Sequence, residues 1–485
     1  MRIVLGGTIK ELDMTYPRFR GLALLLAGSA MMTACASVPD LGRRPEIRPV
    51  TDVASSRSLA PSAAAWPEAS WWSAYRDPQL DSLMAEALAG APDLAAAAAR
   101  LRVAQGYAQQ AGAALAPQID ATASGGLVQQ SQNNGVPPAL VPSGWEKSGK
   151  LGLGLTLDLD LWGKNRAALA AARSDVDAAQ FELAETRLVL TTGIAATYAD
   201  LAKLHAQRDV LVSQLAIRAD TLRLVTDRVT AGLDTRAELK QAQSRVPTAR
   251  AELAATDEAI ALTRNALAAL IGAGPDRGLA IARPSASVLE VSGVPADAAI
   301  NLIGRRPDIA AARARVEAAA SRINLARAAF YPNISLSGLV GLQSLGFDNL
   351  LKASSAFGNV GPAVTLPIFH GGAISGQYRG ARGQYDEAVA RYDASLIQAL
   401  KQVADVVASR TALTVRLSQS RQALADAEEA NALARQRYEG SLSTYLDVLN
   451  AEETVLQARR AVAELETRAF TLDVAMVRAL GGGFA

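Results

Sequence analysis

The sequence of 485 residues contains a single cysteine and only two histidines. One cysteine excludes a disulfide within the chain, and so few soft ligands exclude a zinc site made of cysteine and histidine. Lys and Arg total 49 against 47 Asp and Glu, and the net charge of +2 does not indicate a nucleic-acid-binding surface over the whole protein. The sequence also contains no GxSxG motif, no P-loop and no metal-ligand spacing. We therefore expect a protein that is not an enzyme, holds no metal or cofactor and binds no nucleic acid.

Aromatic residues are also scarce, at 5%, although 50% of the chain is hydrophobic. The apolar residues are largely alanine and leucine, a mixture that suits long packed helices better than an ordinary globular core. Only one long apolar run exists, over residues 21–38. Because no other run approaches about 20 apolar residues, the mature chain is predicted to have no transmembrane helix.

The apolar run near the N-terminus has the organisation of a secretory signal, with two arginines before it and small residues after it. Residues 1–34 are therefore predicted to be a signal peptide, with Met14 as the alternative start. Met32–Cys35 resembles a bacterial lipobox, so a covalent diacylglycerol and an acyl chain are expected on Cys35. Ala36 follows the cysteine in place of Asp, which points to the outer membrane. An ordinary signal peptide with an incidental cysteine is the alternative.

The mature sequence contains an internal repeat. Residues 92–126 align without gaps with residues 307–341, and Arg228–Thr235 resembles Arg437–Ser443. Two copies of one unit of about 200 residues are therefore predicted. The predicted parts are a lipidated tether over 35–75, a first repeat over 76–275, a linker over 276–295 and a second repeat over 296–485.

Each repeat is predicted to contain a pair of strands. Over residues 151–161, leucine alternates strictly with glycine, threonine and aspartate, which indicates a strand with Asp158 and Asp160 on its polar face. Similar alternation predicts three further strands, over 118–127, 334–342 and 360–368.

The predicted order in each repeat is helix, strand, strand, long helix, tight turn, long helix. Leucine and valine heptads in the proline-free stretch 167–231 indicate coiled-coil packing against 235–270 across the turn. Residues 375–438 and 444–480 repeat this arrangement.

The pattern as a whole predicts a mainly α-helical chain with a small β part and a two-fold internal repeat. Four amphipathic strands are too few to close a barrel, for which about eight are needed. Two copies with eight strands or three copies with twelve would satisfy this requirement. A small soluble sheet that caps a helical rod remains the alternative.

Four short segments resemble motifs of a known family. They are Leu302–Ile309 with its Arg305-Arg306-Pro307-Asp308, Ala328–Leu336 followed by Gly341, Asp158–Gly163, and Pro367–Gly372. These segments are similar to the TolC-like outer-membrane efflux proteins, with His370 in place of the usual Asp of that family. With Cys35 they indicate the lipoprotein branch that serves resistance-nodulation-division (RND) pumps, of the NodT type. The resemblance covers about residues 75–480.

The resemblance implies a homotrimer whose long helices form an α-barrel and whose four strands per chain share a 12-stranded transmembrane β-barrel. It implies a passive exit duct in the bacterial outer membrane, with most of the helical part in the periplasm. Drugs or other small solutes would reach this duct from an inner-membrane RND pump through a periplasmic membrane-fusion adaptor. Outer-membrane lipid is the remaining expected partner.

Two alternatives to this function stay open. A type I secretion or metal-efflux exit duct belongs to the same class of protein. A lipid-anchored periplasmic coiled-coil scaffold without a pore belongs to another class.

The resemblance also assigns roles to particular residues. Gly232 and Gly440 permit tight helix reversals, and Thr235 and Ser443 are expected to cap the helices that follow. These four residues are the predicted adaptor-contact tips.

The predicted periplasmic gate contains Asp447 and Asn450, with Arg437 and Tyr438 as latch partners. Asp158 and Asp160 are predicted to face the lumen from their strand.

Overall fold

The computed structural model describes residues 38–54, 57–59, 65–285, 295, 302 and 304–484. The predicted signal peptide, Met14, Cys35 and part of the predicted linker lie outside the described residues.

The described chain is mainly helical. The helices are α1 (Pro78–Gly90), α2 (Pro92–Ala113), α3 (Lys164–Thr230), α4 (Arg236–Leu270), α5 (Pro275–Leu279), α6 (Pro307–Ala328), α7 (Ala373–Glu439) and α8 (Tyr445–Leu480). The strands are β1 (Gln118–Val128), β2 (Glu146–Asp158), β3 (Asn333–Leu345) and β4 (Ala356–Thr365). No helix of the described part combines the length and the apolar composition that a membrane crossing requires.

The predicted repeat is visible as a repeated order of elements. The series α2, β1, β2, α3, α4 is followed by α6, β3, β4, α7, α8. Corresponding helices have nearly equal lengths: α2 and α6 each contain 22 residues, α3 and α7 each contain 67, and α4 and α8 contain 35 and 36. The predicted order of helix, strand, strand, long helix, turn and long helix is confirmed.

All four predicted strands exist, but several of their boundaries differ from the expectation, most of all those of β2 and β4. β2 begins at Glu146, before its leucine alternation, and ends at Asp158, short of the predicted 161. β4 covers Ala356–Thr365 rather than 360–368. Pro362 lies inside β4, which is tolerated because β4 is an edge strand with no partner on its outer side within the described sheet.

The chain divides into two compact units. One contains Ala108–Ala171 and Ala319–Tyr385, and the other contains Pro45–Tyr107, Ala172–Ala318 and Asp386–Ala485.

The first unit holds the antiparallel sheet, in the order β1-β2-β3-β4. The register aligns the alternation of all four strands, since Ile119 lies opposite Leu155, which lies opposite Gly338, which in turn lies opposite Val360. One face is therefore apolar and the other is mostly polar. Members of the apolar face are well exposed, for example Ile119 at 69% and Val360 at 76%. The described part of one chain thus leaves much of both faces of the sheet uncovered.

The second unit contains an aromatic core around the start of α1. Asp77 caps this helix by accepting from the N–H groups of Gln79 (3.0 Å) and Leu80 (3.4 Å), and its other carboxylate oxygen accepts from the Tyr198 hydroxyl at 2.7 Å. Tyr75 is buried nearby and donates to Asp473 at 2.5 Å. Because Asp473 also pairs with the buried Arg410 at 3.2 Å, the polar groups in this core are satisfied rather than orphaned.

The arginine-rich motif before α6 stabilises the start of that helix. The Arg306 guanidinium donates to both Asp308 carboxylate oxygens, at 3.0 and 2.6 Å. It also donates to Gln402 Oε1 at 2.8 Å and to the Ala479 carbonyl at 2.9 Å. One buried side chain therefore connects the start of α6 to α7 and to the end of α8.

Gly341 marks a close approach between strands. A Cβ at this position would lie 2.2 Å from the Leu151 carbonyl oxygen and 2.9 Å from the Phe357 ring. We expect Gly341→Ala to lower the unfolding temperature of the purified protein, by the equivalent of about 1–3 kcal/mol, because strand backbone would have to move. Gly361→Ala is the matched control, because a Cβ on Gly361 would meet nothing within 4 Å. Equal unfolding temperatures for the two variants would contradict this account.

Candidate functional site at the two helical hairpin turns

The second unit contains two helical hairpins with closely similar turns. In the first, Gly232 takes a left-handed φ of 76° and the Leu233 N–H donates to the Arg228 carbonyl at 2.9 Å. In the second, Ser441 takes a φ of 60° and the Leu442 N–H donates to the Arg437 carbonyl at 2.7 Å. Both turns therefore have the hydrogen-bonding pattern that commonly ends a helix with one left-handed residue.

The predicted role of Gly440 in this reversal is wrong. Gly440 has no positive φ and precedes the left-handed residue, which is Ser441. The cause is register: counted from the arginine that starts each turn, Ser441 and not Gly440 occupies the place of Gly232. A serine in this conformation carries a Cβ penalty of about 1 kcal/mol, which the surrounding contacts must offset.

The helix caps differ in the same way. Thr235 caps α4 as predicted, through a capping box with Glu238. In the second hairpin the cap residue is Thr444 rather than the predicted Ser443. The Thr444 N–H and hydroxyl both donate to Asp447, each at 3.0 Å.

A polar cluster joins the two turns, and all of its side chains except that of the exposed Ser441 are buried. Arg228 Nε donates to Asp234 at 3.0 Å, and its Nη1 donates to the Tyr438 carbonyl at 2.9 Å and to the Ser441 hydroxyl at 3.3 Å. The Tyr438 hydroxyl donates to the same Asp234 carboxylate. The guanidinium carbon of Arg228 also lies 4.4 Å from the centre of the Tyr438 ring. We call Arg228, Asp234, Tyr438 and Ser441 the turn cluster.

The turn cluster is held together by burial and charge. The side chains of Arg228 and Asp234 are only 10% and 6% exposed, so loss of either would leave a buried charge without its partner. Burial and the neighbouring Asp234 raise the pKa of Tyr438, which keeps its hydroxyl protonated as a donor. Hydrogen bonding to Asp234 raises the pKa of Arg228.

Apolar side chains from all four hairpin helices surround the cluster. Tyr438 packs with Tyr445 at a ring-centroid distance of 6.2 Å, and Val225, Ala242 and Val448 complete a buried group. The turn cluster is thus the polar end of a small hydrophobic core.

Further polar contacts join the hairpins beside this core. The Thr221 hydroxyl donates to Glu452 at 2.5 Å, and burial raises the pKa of Glu452. Glu453 lies 3.6 Å from Arg218 and 3.8 Å from Arg245. These contacts connect α8 to both helices of the first hairpin.

Among the predicted gate residues, only Tyr438 belongs to the turn cluster. Arg437, Asp447 and Asn450 are exposed. The pKa of Asp447 is lowered, chiefly by its hydrogen bonds from Thr444 and to a lesser degree by the charge of Arg437. A gate function for these residues stays a prediction.

Sequence reasoning missed Arg228 and Asp234. The available signal was an arginine and an aspartate on either side of Gly232, placed where the second repeat has Arg437 and Ser443. Only the first turn therefore has an acid at this position, where it neutralises the buried Arg228.

The strand residues Asp158 and Asp160 lie in the first unit, and they differ from one another. Asp158 is the last residue of β2, whereas Asp160 lies beyond the strand with a φ of 46°. The Asp160 side chain is 6% exposed and pairs with Arg166 at 3.1 Å, and it accepts from the N–H of Asn165 at 2.8 Å. The prediction that Asp160 projects from the strand into a lumen is therefore wrong, because it stabilises the start of α3 instead.

Each hairpin turn also presents an exposed leucine. Leu233 is 60% exposed and Leu442 is 72% exposed, and the two occupy equivalent positions in the repeats. The turns thus combine a mostly buried polar cluster with an exposed leucine on each turn.

The Tyr438 hydroxyl can be removed without changing its ring. We expect Tyr438→Phe to weaken the link between the turns by about 1.5–3 kcal/mol, because the charged acceptor Asp234 loses the hydrogen bond that the Tyr438 hydroxyl donates. Backbone hydrogen exchange in both turns should then accelerate about tenfold or more. Tyr445→Phe is the matched control, since no side-chain hydrogen bond of Tyr445 occurs in the described part of the chain. Similar exchange rates in the two variants would contradict the proposed importance of the hydroxyl.

Comparison with known proteins agrees with this architecture. The family model for outer membrane efflux proteins matches residues 83–273 and 300–482. The multidrug resistance outer membrane protein MdtP of Escherichia coli is 31% identical over 477 residues, covering 96% of each chain. The fusaric acid resistance protein FusA of Burkholderia cepacia is 37% identical over 376 residues, covering 75% of this chain and 70% of FusA.

A solved structure agrees as well. The outer membrane protein VceC of Vibrio cholerae has a TM-score of 0.83 and 43% identity, and the match covers 87% of this chain and all of VceC. From its matched ranges, its curated relatives and its fold, this chain belongs to the outer membrane efflux protein family.

Proposed function

We propose that three copies of this chain form an exit duct in the bacterial outer membrane that passively conducts small solutes. The observation that carries this proposal is the sheet of the first unit, which has one apolar face, one mostly polar face and an edge strand on each side. Such a sheet suits lipid on one face and water on the other.

Strand length agrees with this assignment. The four strands contain 11, 13, 13 and 10 residues, and a tilted strand needs about 9–11 residues to cross a bilayer. Three copies would close one shared sheet of twelve strands around a pore, in which every edge strand is paired with a neighbouring copy. Two copies would provide only eight strands, for which side chains nearly fill the interior.

The few aromatic side chains of this unit support the same placement. Trp145 and Phe347 lie in the connections at one end of the strands, and they are 67% and 48% exposed. Trp162 and Phe369 follow the other end and are 50% and 87% exposed. Aromatic side chains at both ends of apolar strands are typical of membrane interfaces.

The helical hairpins would meet the other members of a tripartite system. We assign the exposed Leu233 and Leu442, with Gly232, Thr235, Gly440 and Ser443, to contact with a periplasmic adaptor that joins the duct to an inner-membrane RND pump. Exposed apolar side chains at equivalent turns offer such a partner a repeated contact. The turn cluster beneath them would hold the entrance closed.

Membrane anchoring through Cys35 completes the proposal. The lipobox-like Met32–Cys35 supports a diacylglycerol and an acyl chain on this residue. Incorporation of labelled palmitate into the wild type but not into Cys35→Ser is the corresponding measurement.

The relatives differ in what their names say they export or resist. FusA is named for fusaric acid resistance, MdtP for multidrug resistance and OpmQ of Pseudomonas aeruginosa for pyoverdine export. Cargo choice would then rest with the pump, and the duct would accept what the pump delivers.

Single-channel recording in a planar bilayer tests the duct. We expect discrete conductance steps from the purified trimer, and larger or more frequent openings from Tyr438→Phe because the turn cluster is weakened. Tyr445→Phe should behave as the wild type. Absence of both trimers and steps, in the wild type and in Tyr438→Phe, would overturn the proposal.

The adaptor surface can be tested separately. We expect the double variant Leu233→Asp and Leu442→Asp to lose solute export in cells that supply the pump and adaptor, while single-channel conductance is retained. Leu262→Asp is the matched control, because Leu262 is equally exposed at 60% but lies within α4, away from the turns. Equal export by the double variant and by the wild type would exclude these leucines from the contact.

A further inference from the structure

A cavity of about 290 Å³ lies in the first unit, between the connections that follow β2 and β4. Its lining includes Trp162, Lys164, Tyr331 and His370, together with backbone and apolar groups from the end of α6 and the start of β3. The turn cluster and the hairpins take no part in it.

One wall of the cavity is a fixed aromatic pair. The Trp162 indole N–H donates to the Pro332 carbonyl at 2.8 Å, and its ring stacks on Tyr331 at a centroid distance of 4.9 Å and an angle of 20°. Trp162 is nevertheless 50% exposed. A large aromatic side chain is therefore held in one orientation while half of its surface stays uncovered.

The surroundings of the cavity are strongly apolar. Leu161 is 57% exposed, Ile368 is 74% exposed and Phe369 is 87% exposed. Ile334, which lines the cavity, lies on the apolar face of β3 opposite Val364, and its carbonyl accepts from the Leu159 N–H at 3.0 Å. The cavity thus lies where the apolar face of the sheet ends.

The charges at the cavity favour an anionic group. Asp160 is the acidic residue in the lining, and its carboxylate is already taken by Arg166 and by the N–H groups of Asn165 and Arg166. Lys164 lines the same cavity and forms no ion pair with any described residue. His370 lines the cavity as well and offers a ring N–H as a further donor.

We propose that this cavity binds the phosphodiester headgroup of a membrane phospholipid, with Lys164 beside the phosphate and an acyl chain along Leu161 and Phe369. The occupant follows from charge complementarity and from continuity with the apolar face of the sheet. A lysine beside a wet phosphate and an aromatic side chain at the level of the headgroup are both favourable at a membrane interface. The inference rests on the proposed function, since a sheet outside a bilayer would meet no lipid.

The test uses full-length protein in detergent micelles and a trace of phosphatidylglycerol with brominated acyl chains, because bromine quenches nearby tryptophan. The emission of Trp162 is obtained as the difference between wild type and Trp162→Phe. We expect saturable quenching of this emission at a few lipids per chain. Lys164→Gln should raise the lipid concentration for half-saturation about fivefold, the effect of one lysine near a lipid phosphate. Lys147→Gln, in β2 at the opposite end of the strand, is the matched control and should leave the curve unchanged.

Two results would overturn the proposal. Quenching that rises in proportion to lipid without saturation, and is indifferent to Lys164→Gln, would mean ordinary boundary lipid rather than a site. No quenching of Trp162 in trimers that do conduct would mean that a neighbouring copy covers the cavity.

Failure of the proposed function gives a different signature. A second measurement uses vesicles made entirely of the brominated lipid. The emission of Trp145, obtained as the difference between wild type and Trp145→Phe, then reports on the other end of β2. If that emission is also unquenched, the sheet is not in the bilayer, and the duct itself is refuted along with the lipid site.

Discussion

The pairing of strand edges is the constraint on which the proposed function of this chain depends. In hydrocarbon no water is available to an unpaired N–H or C=O group, so each one left open costs several kcal/mol. Within the described part of one chain, β1 pairs only with β2 and β4 only with β3, which leaves two open edges and two largely uncovered faces. A sheet with this register is complete only when other copies supply its missing partners. The apolar and polar faces, the length of the strands and the aromatic side chains at their ends all agree with that requirement.

The periodicity of the apolar residues and the amino-acid composition were enough to predict the elements of the fold. Leucine alternation in β2 and the heptads of α3 are local signals, and each strand and long helix exists where such a signal exists. Boundaries were less accessible, because the first residues of β2, from Glu146, are paired through partners in β1 and β3 rather than by their own alternation. Asp160 shows the same limit of boundary prediction at the C-terminal end of β2. Its place in the alternation suggests a strand, but the N–H groups at the start of α3 attract its carboxylate and the strand stops first.

The site was predictable in position and not in chemistry. Glycine near the ends of two long helices located both turns, and the family resemblance assigned Tyr438 to this region. Its partners Arg228 and Asp234 are on the other hairpin, so only the folded chain brings them together. The predicted turn and cap residues of the second hairpin, Gly440 and Ser443, were each one residue too early, and the structure has Ser441 and Thr444 instead. The presence of a glycine does not by itself say which residue of a turn takes the left-handed conformation.

The two repeats contribute different groups to the turn cluster. The first hairpin supplies both the arginine and its acid, and the second supplies a tyrosine ring, a carbonyl and a hydroxyl. Three assembled copies would place six nearly equivalent hairpins around one axis, yet a charged acceptor would occur in only three of them. The backbone at the entrance would therefore have approximate six-fold symmetry, whereas the contacts that stabilise it would have only three-fold symmetry. Any opening motion would be expected to follow the three-fold pattern, because it would have to break the same Arg228–Asp234–Tyr438 contacts in each copy.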